Sequence, residues 1–274
     1  SLDTEEDDEI CIGCAGGIDI TMKRSYNLIN STNDEVCVEL LLNGLTGGHS
    51  GAEIHKGLGN SNKIIFEIIN EINNHFKISI CSVDGGGLRN AIPRESTAII
   101  SFSKDKFELF EQIIKKSLDM YKKRFQLTDS DLNLEFKLLG NGLKQLSKED
   151  SNELIKAINM CPNGVFEMSK SIEGLVETSN NLANIKLVNG ELKIMCLTRS
   201  SSEESKNKLS KIISNIFENI SCSCTFSGGY PGWEPNINSK TLREVKNSYI
   251  KLFSSEPKVN VIHAGLECGI IGSH

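Results

Sequence analysis

The spacing of apolar residues, which changes along the chain between the period of a strand and the period of a helix, is the feature that most limits how this chain can fold. Between about residues 36 and 226, segments follow one another in the order strand, helix, strand, strand, helix, strand, and the order is then repeated. This pattern is typical of ferredoxin-like split β-α-β units, and it predicts two of them, over about 36–126 and 131–226. The dipeptide Asn189-Gly190 predicts a tight type I′ hairpin between two of the later strands. The predicted strands are Val36–Leu42, Phe76–Val83, Thr97–Ser103, Leu132–Leu139, Leu182–Val188, Lys193–Arg199 and Ser221–Phe226, and the predicted helices are Leu58–Ile72, Lys106–Phe125, Lys148–Met160 and Glu203–Ile220.

The composition changes after Gly228, where a turn-rich segment precedes a predicted helix, Lys240–Phe253, and a predicted strand, Val259–His263. We expect residues 1–17 and 229–274 to belong to a second domain of α/β type, into which residues 18–228 are inserted. The predicted fold class is therefore α+β. The acidic start and the glycine-rich end predict that the chain is a piece of a longer protein.

Composition argues against several classes of protein. With 38% hydrophobic and 24% charged residues the chain is typical of a globular protein, and no segment nears the roughly 20 apolar residues that span a membrane. A net charge of -6 without a basic stripe argues against nucleic acid as a partner. The acidic N-terminus is not a signal peptide, which favours the cytoplasm. We expect the nine cysteines to be free thiols; a structural zinc site would need the pairs Cys11/Cys14 and Cys222/Cys224 to meet.

His49 stands between glycines in the segment Gly47-Gly48-His49-Ser50-Gly51. Glycines on both sides allow a sharp turn and a close approach of the backbone to a ligand. The imidazole can then donate a hydrogen bond to an oxyanion that develops on a substrate carbonyl. The alternative is a turn histidine without a chemical role.

Two further polar residues are candidates for contact with a substrate. Asn90 lies in the glycine-rich turn GGGLRNAIPRE, where it either contacts a ligand or only closes an Asx-turn. The neighbouring Arg89 and Arg94 can be surface residues that pair with carboxylates. Arg199 ends a predicted strand, where it either is solvated or clamps a carboxylate with both arms of its guanidinium. Asp3 belongs to an acidic run, which by itself is usually a solvated surface.

Several segments together resemble one family. They are GLTGGHSGAEIHKGLGN, GGGLRNAIPRE, CPNGV, GLVETSNNLA, YPGWEPN and IHAGLECG. These segments resemble the Xaa-His (aminoacyl-histidine) dipeptidases, which share a dinuclear-zinc peptidase clan with aminoacylase, carboxypeptidase G and carnosinase. The motif GGHSG indicates only the clan, whereas RNAIPRE with YPGW and HAGLECG is more specific to the dipeptidase. The resemblance runs from Asp3 to Gly269.

The resemblance implies a catalytic α/β domain, with residues 1–17 and 229–274 in it, and an inserted lid of two ferredoxin-like units over residues 18–228. It also implies the site residues. Asp3 is the expected zinc ligand, and His49 is the expected lid histidine that reaches the scissile carbonyl. The expected substrate contacts are Asn90, Arg199 on the C-terminal carboxylate, and His263 and Glu267 in a loop that lines the site.

The same resemblance implies a hydrolase with two zinc ions that activate a water for attack on an Xaa-His dipeptide. The family's other metal motifs and its glutamate base are expected outside the segment from Asp3 to Gly269, so the chain on its own is expected to be inactive. The expected partners are the dipeptide and a second copy bound through the lid. In a lid of two units, the second unit can instead take the place of the second copy within one chain.

Two alternatives remain open from the sequence. Two ferredoxin-like units can form a noncatalytic binding or assembly module, and an amidohydrolase of the same clan can act on acyl-amino acids. Metal motifs upstream of Asp3 would exclude the module, and profiling with dipeptides would separate the two enzymes.

Overall fold

The computed structural model describes residues 7–272, which form fifteen β-strands, six α-helices and two short 3-10 helices. The strands are β1 Glu9–Cys14, β2 Gly16–Ser25, β3 Ile29–Asn30, β4 Glu35–Asn43, β5 Gly48–His49, β6 Ser79–Gly86, β7 Ala91–Ile92, β8 Ser96–Ser103, β9 Asn133–Gly140, β10 Lys144–Gln145, β11 Gly164–Met168, β12 Val176–Val188, β13 Glu191–Ser200, β14 Ser223–Tyr230 and β15 Lys258–Ile262. The α-helices are α1 Ser61–His75, α2 Phe107–Arg124, α3 Lys148–Met160, α4 Glu203–Glu218, α5 Lys240–Phe253 and α6 Glu267–Ile271.

One large antiparallel sheet contains both predicted units. Its strand order is β14-β2-β13-β12-β6-β8-β4-β9, and β11 pairs with the part of β12 that β6 leaves free. In one half, β4, α1, β6, β8, α2 and β9 form a split β-α-β unit; in the other half, β2, α3, β12, β13, α4 and β14 form a second one. The two ferredoxin-like units are therefore confirmed, and the pairing of β6 with β12 joins them.

The second unit takes its first strand from the start of the chain, which differs from the predicted ranges 36–126 and 131–226. β2 precedes the first unit in sequence, yet it pairs with β13 and β14, and β9 closes the first unit. Sequence reasoning missed β2 although Ile18, Ile20 and Met22 alternate with polar residues, because this short run lies between glycines and charged residues. Pairing on both edges holds this segment extended. The first unit is therefore inserted into the second.

Helices α1 to α4 cover one face of the sheet with apolar side chains. The isoleucines buried at helical spacing in α1 are Ile64, Ile65, Ile68, Ile69 and Ile72. Phe102 of β8 packs on Phe110 of α2, with ring centroids 4.9 Å apart. On β13, Ile194 and Cys196 point into this core, so the alternation of the strand turns Arg199 to the opposite face. The candidate site lies on that opposite face.

The two ends of the described chain meet beside the sheet. β1 and β15 pair in parallel, and Cys14 and Trp233 exchange two backbone hydrogen bonds of 2.9 Å. The predicted helix Lys240–Phe253 is confirmed as α5, and the predicted strand at Val259–His263 is confirmed as β15. Parallel pairing is typical of α/β domains. The assignment of these segments to a separate domain stays a prediction.

All nine cysteines lie within the described residues and are free, as expected. Over residues 7–272, no three histidine, cysteine, aspartate or glutamate side chains come together in a group that could hold a metal ion. The two close cysteine pairs therefore do not form a structural zinc site. None of the helices in this part of the chain has the length and apolar character needed to cross a membrane.

A buried asparagine supports the junction of the two units. Asn62, at the start of α1, is fully buried, and its amide donates to the carbonyl of Gly85 on β6 at 3.4 Å and of Leu182 on β12 at 3.2 Å. Its Oδ1 accepts from the hydroxyl of Ser96 at 2.7 Å. One side chain thus satisfies polar groups of both units.

Asn62→Ala is expected to lower the free energy of unfolding by about 1–3 kcal/mol, because it leaves buried carbonyls and a hydroxyl without a partner. Urea denaturation followed by circular dichroism measures the change. Asn207→Ala on the exposed side of α4 is the control, and it should change stability by less than about 0.5 kcal/mol. Equal effects of the two substitutions would show that Asn62 does not stabilise the junction.

Candidate active site

Backbone hydrogen bonds fix the loop that carries His49. β5 pairs with β7, so His49 lies opposite Ala91, and the N–H of Ser50 donates to the carbonyl of Asn90 at 2.8 Å. The N–H of His49 itself donates to Oε2 of Glu53 at 2.8 Å. The glycine-rich loop is therefore ordered, and it holds the imidazole in one place.

The hydrogen bonds of the His49 ring determine which nitrogen carries the proton. Nδ1 accepts from the N–H of Gly51 at 3.2 Å and from the N–H of Ala52 at 2.9 Å. Burial, and then the positive charge of Arg199, lower the pKa of His49, although Glu53 opposes them. A neutral ring whose Nδ1 accepts must carry its proton on Nε2. His49 therefore presents an Nε2–H donor that no residue in the described range accepts.

Arg199 is a buried cation that forms no ion pair within residues 7–272, although the carboxylate of Asp19 lies near enough to act on its charge. It lies on β13 beside Gly17 of β2, and it is only 4% exposed. Its Nη1 donates to the hydroxyl of Tyr230, whereas its Nε is buried without a partner within residues 7–272. No carboxylate in that range forms an ion pair with it. Because buried charges are almost always paired, this arrangement leaves a place for an anion.

Gly51 is the residue around which three of the predicted site residues meet. A Cβ at this position would overlap the carbonyl oxygen of His263, and it would lie 3.1 Å from Nε of Arg199 and 3.1 Å from Cε1 of His49. The absence of a side chain therefore allows the His49 loop, the strand β13 and the end of β15 to approach one another.

His263 is buried and neutral. The side chain is 8% exposed, and its Nε2 lies 2.8 Å from Oγ of Ser179 on β12. Burial, and then the charge of Arg199, lower the pKa of His263 to about 4. A neutral ring at this place can exchange hydrogen bonds, but it adds no charge near Arg199.

The remaining predicted residues lie farther out. The side chain of Asn90 is exposed, and its loop is held in place because the amide of Asn181 donates to the carbonyls of Arg89 at 3.0 Å and Ala91 at 2.8 Å. Glu267 is exposed at the first residue of α6. Asp3 lies outside the described residues. The roles of these three residues stay predictions.

Sequence reasoning missed two residues of the site. The sequence around Ser179 has no motif that distinguishes this serine from its polar neighbours. Its contact with His263 depends on its position opposite Arg199 in the sheet. Tyr230 was visible only as the first residue of the turn-rich YPGW motif. The contact between its hydroxyl and Arg199 crosses from β14 to β13, which no local pattern reveals.

A cleft of about 650 Å³ lies beside these residues. Its walls are the loop of Ala52 and His55, residues 172–176, and the end of β15 with His263. Most of these side chains are aliphatic, with a few polar groups among them. This size and this mixture are typical of a pocket that binds a small molecule.

Comparison with known proteins supports the predicted resemblance. Residues 41–126 match the family described as the peptidase dimerisation domain. Over 98% of its length the chain is 34% identical to the cytosol non-specific dipeptidase of Escherichia coli (strain K12), and it covers 56% of that protein. The crystal structure of aminoacylhistidine dipeptidase from Vibrio alginolyticus matches 99% of the chain with a TM-score of 0.95 and 31% identity, and the chain covers 56% of it. The resemblance to the Xaa-His dipeptidases and the α+β lid fold are therefore confirmed, and the chain spans about half the length of these relatives.

Arg199→Gln is expected to raise the pKa of both His49 and His263, because the positive charge of Arg199 disfavours protonation of the two rings. Proton–nitrogen NMR correlation spectra across a pH titration measure both values, and they also report the tautomer of His49. Arg124→Gln removes an exposed charge on α2 and should leave both titrations in place. If Arg199→Gln also leaves them in place, its charge does not act on the two rings.

Proposed function

We propose that this chain forms the lid, and an adjoining part of the catalytic domain, of a zinc-dependent dipeptidase that hydrolyses Xaa-His dipeptides. One observation supports this proposal above the others. A neutral imidazole N–H and a buried guanidinium that forms no ion pair within residues 7–272 lie on two sides of Gly51. These are the two groups that a peptidase needs for the carbonyl oxygen and the terminal carboxylate of a short substrate.

Arg199 would hold the C-terminal carboxylate of the substrate. Two parallel N–H···O bonds can form between a guanidinium and a carboxylate, and they would satisfy the Nε that has no partner in the described chain. The bound carboxylate would also compensate the buried positive charge. Both a dipeptide and an acyl-amino acid offer such a carboxylate, but similarity to two dipeptidases over nearly the whole chain favours the dipeptide.

His49 would stabilise the transition state. Its Nε2–H has no acceptor among residues 7–272. Hydrogen bonds from backbone N–H groups to Asn90, to Glu53 and to the ring itself fix the loop, so the donor needs no reorganisation when charge develops. As the carbonyl carbon becomes tetrahedral, negative charge grows on its oxygen, and the hydrogen bond from Nε2 strengthens. Such an interaction raises kcat more than it tightens binding of the substrate.

The other candidate residues would position the substrate. Asn90 presents an exposed amide on a loop that is anchored beside His49. The cleft next to Ala52 and His263 has space for one side chain of the dipeptide, and preference for a histidine there is part of our proposal. The role of Glu267 rests on the resemblance alone.

Zinc is the cofactor that the resemblance implies. Residues 7–272 contain no group of metal-binding side chains, so the described part of the chain does not fit a zinc ion. Asp3, the proposed ligand, lies outside that part. The binding of two zinc ions is therefore proposed for the complete protein, and the roles proposed for His49 and Arg199 involve only the chain's own side chains.

We also propose a homodimer formed through the lid, because the matched family is described as a dimerisation domain. Within one chain, however, the pairing of β6 with β12 already brings His49 of the first unit to Arg199 of the second. The two residues therefore meet without a second copy. The name of the Escherichia coli relative and the free cysteines support a cytosolic location.

His49→Ala in the complete protein is expected to lower kcat about 100- to 1000-fold, because one oxyanion donor is lost. Zinc content should stay nearly unchanged, since the proposed role of His49 lies outside the metal ligands. The melting temperature should fall only slightly, because the N–H groups of Gly51 and Ala52 lose their acceptor. His75→Ala, on the exposed side of α1, is the control and should leave kcat unchanged. A kcat near the original value would contradict the proposed role of His49. A loss of zinc would indicate that His49 is a metal ligand instead.

Arg199→Lys is expected to lower kcat/KM for a free-acid Xaa-His dipeptide roughly 10- to 100-fold, because lysine cannot form the two parallel bonds of a guanidinium. The same dipeptide with an amidated C-terminus should already be a poor substrate, and the substitution should affect it little. Steady-state kinetics with the two substrates measure the difference. Equal losses of kcat/KM for the two substrates would show that Arg199 does not bind the carboxylate.

A further inference from the structure

We infer that Tyr230 is a positioning residue, which orients Arg199 for the substrate carboxylate without neutralising it. The inference rests on the proposed function, because it assigns Arg199 to the carboxylate. It concerns a residue that neither the motif pattern nor the local sequence identifies as part of the site.

The register of the sheet explains how a tyrosine reaches this arginine. Gly17 on β2 is paired with Arg199 on β13 and also with Tyr230 on β14, so the three residues form one row across three strands. A side chain at residue 17 would stand between the other two. A Cβ there would overlap the hydroxyl of Tyr230, so glycine opens the path along which the ring crosses β2.

A second glycine fixes the ring from another side. A Cβ at Gly265, in the loop after β15, would lie 2.7 Å from Cε2 of Tyr230. The ring therefore packs against backbone on both sides, and its hydroxyl has little freedom to move away. Nη1 of Arg199 donates to this hydroxyl, which leaves Nε and Nη2 of the guanidinium for a ligand.

The chemistry of the partner matters as much as its place. Asp19 of β2 forms its ion pair with Arg89 at 3.3 Å, and it acts on Arg199 electrostatically without forming an ion pair with it. A carboxylate bound to Arg199 would orient it equally well, but it would compensate the charge that must attract the substrate. A neutral phenol orients the guanidinium and keeps that charge available.

Tyr230→Phe in the complete protein tests the inference, because it removes only the hydroxyl. We expect KM for a free-acid Xaa-His dipeptide to rise about 3- to 10-fold, with kcat within about twofold of the original. KM for the amidated dipeptide should not change, whereas the melting temperature should fall somewhat, because Nη1 of the buried Arg199 loses its acceptor. Tyr249→Phe, on the exposed helix α5, is the matched control and should change none of these quantities.

Gly17→Ala provides a second test, since it keeps the hydroxyl but displaces the ring, and it should raise KM for the free acid in the same way. Arg199→Lys, measured under the same conditions, separates the positioning role of Tyr230 from the carboxylate-binding role of Arg199. If Arg199→Lys discriminates between the substrates and Tyr230→Phe does not, the positioning role is overturned while the carboxylate clamp stands. If neither discriminates, the clamp itself is wrong. If Tyr230→Phe affects both substrates equally, the tyrosine is only structural.

Discussion

The pairing of β6 with β12 is the contact on which the arrangement of the site depends. Residues 83–86 of the first unit meet residues 184–187 of the second in four register pairs, and buried asparagine amides bond to the carbonyls around them. This junction turns two small units into one continuous sheet. It also places the His49 loop, which belongs to one unit, beside a strand of the other. Without the junction, His49 and Arg199 would lie on two separate units with no fixed distance between them.

Within that frame, a single positive charge organises the electrostatics of the site. Arg199 lies close enough to His49 and His263 to lower the pKa of both, and burial acts in the same direction. Both rings are therefore neutral, which leaves one of them able to donate from Nε2. A carboxylate bound to the guanidinium would weaken this effect, so the occupancy of the clamp and the protonation of the rings are linked.

The sequence was most informative where the signal is local. Helices α3 and α5 were predicted to the residue, and the hairpin at Asn189-Gly190 has the positive φ angles of 53° and 83° that a type I′ turn requires. His49 and His263 were selected through motifs and Arg199 through its place at the end of a predicted strand, and the structure brings the three together at Gly51. β2 was not found although its apolar residues alternate at Ile18, Ile20 and Met22, because the run is short and lies between glycines and charged residues. Tyr230 was not found because a contact between strands far apart in the chain leaves no local pattern.

The insertion of one unit into the other has a consequence for how the protein acquires its native state. The first unit is continuous in sequence, so its strands and helices can associate soon after they are synthesised. β2 must instead wait for β13 and β14, which come from near the opposite end of the chain, and it must enter between them. Contacts of such long sequence separation form slowly, because a large loop is closed before they contribute. We therefore expect the row that contains Arg199, Gly17 and Tyr230 to be among the last parts to assemble, so that the binding site is completed only at the end of folding.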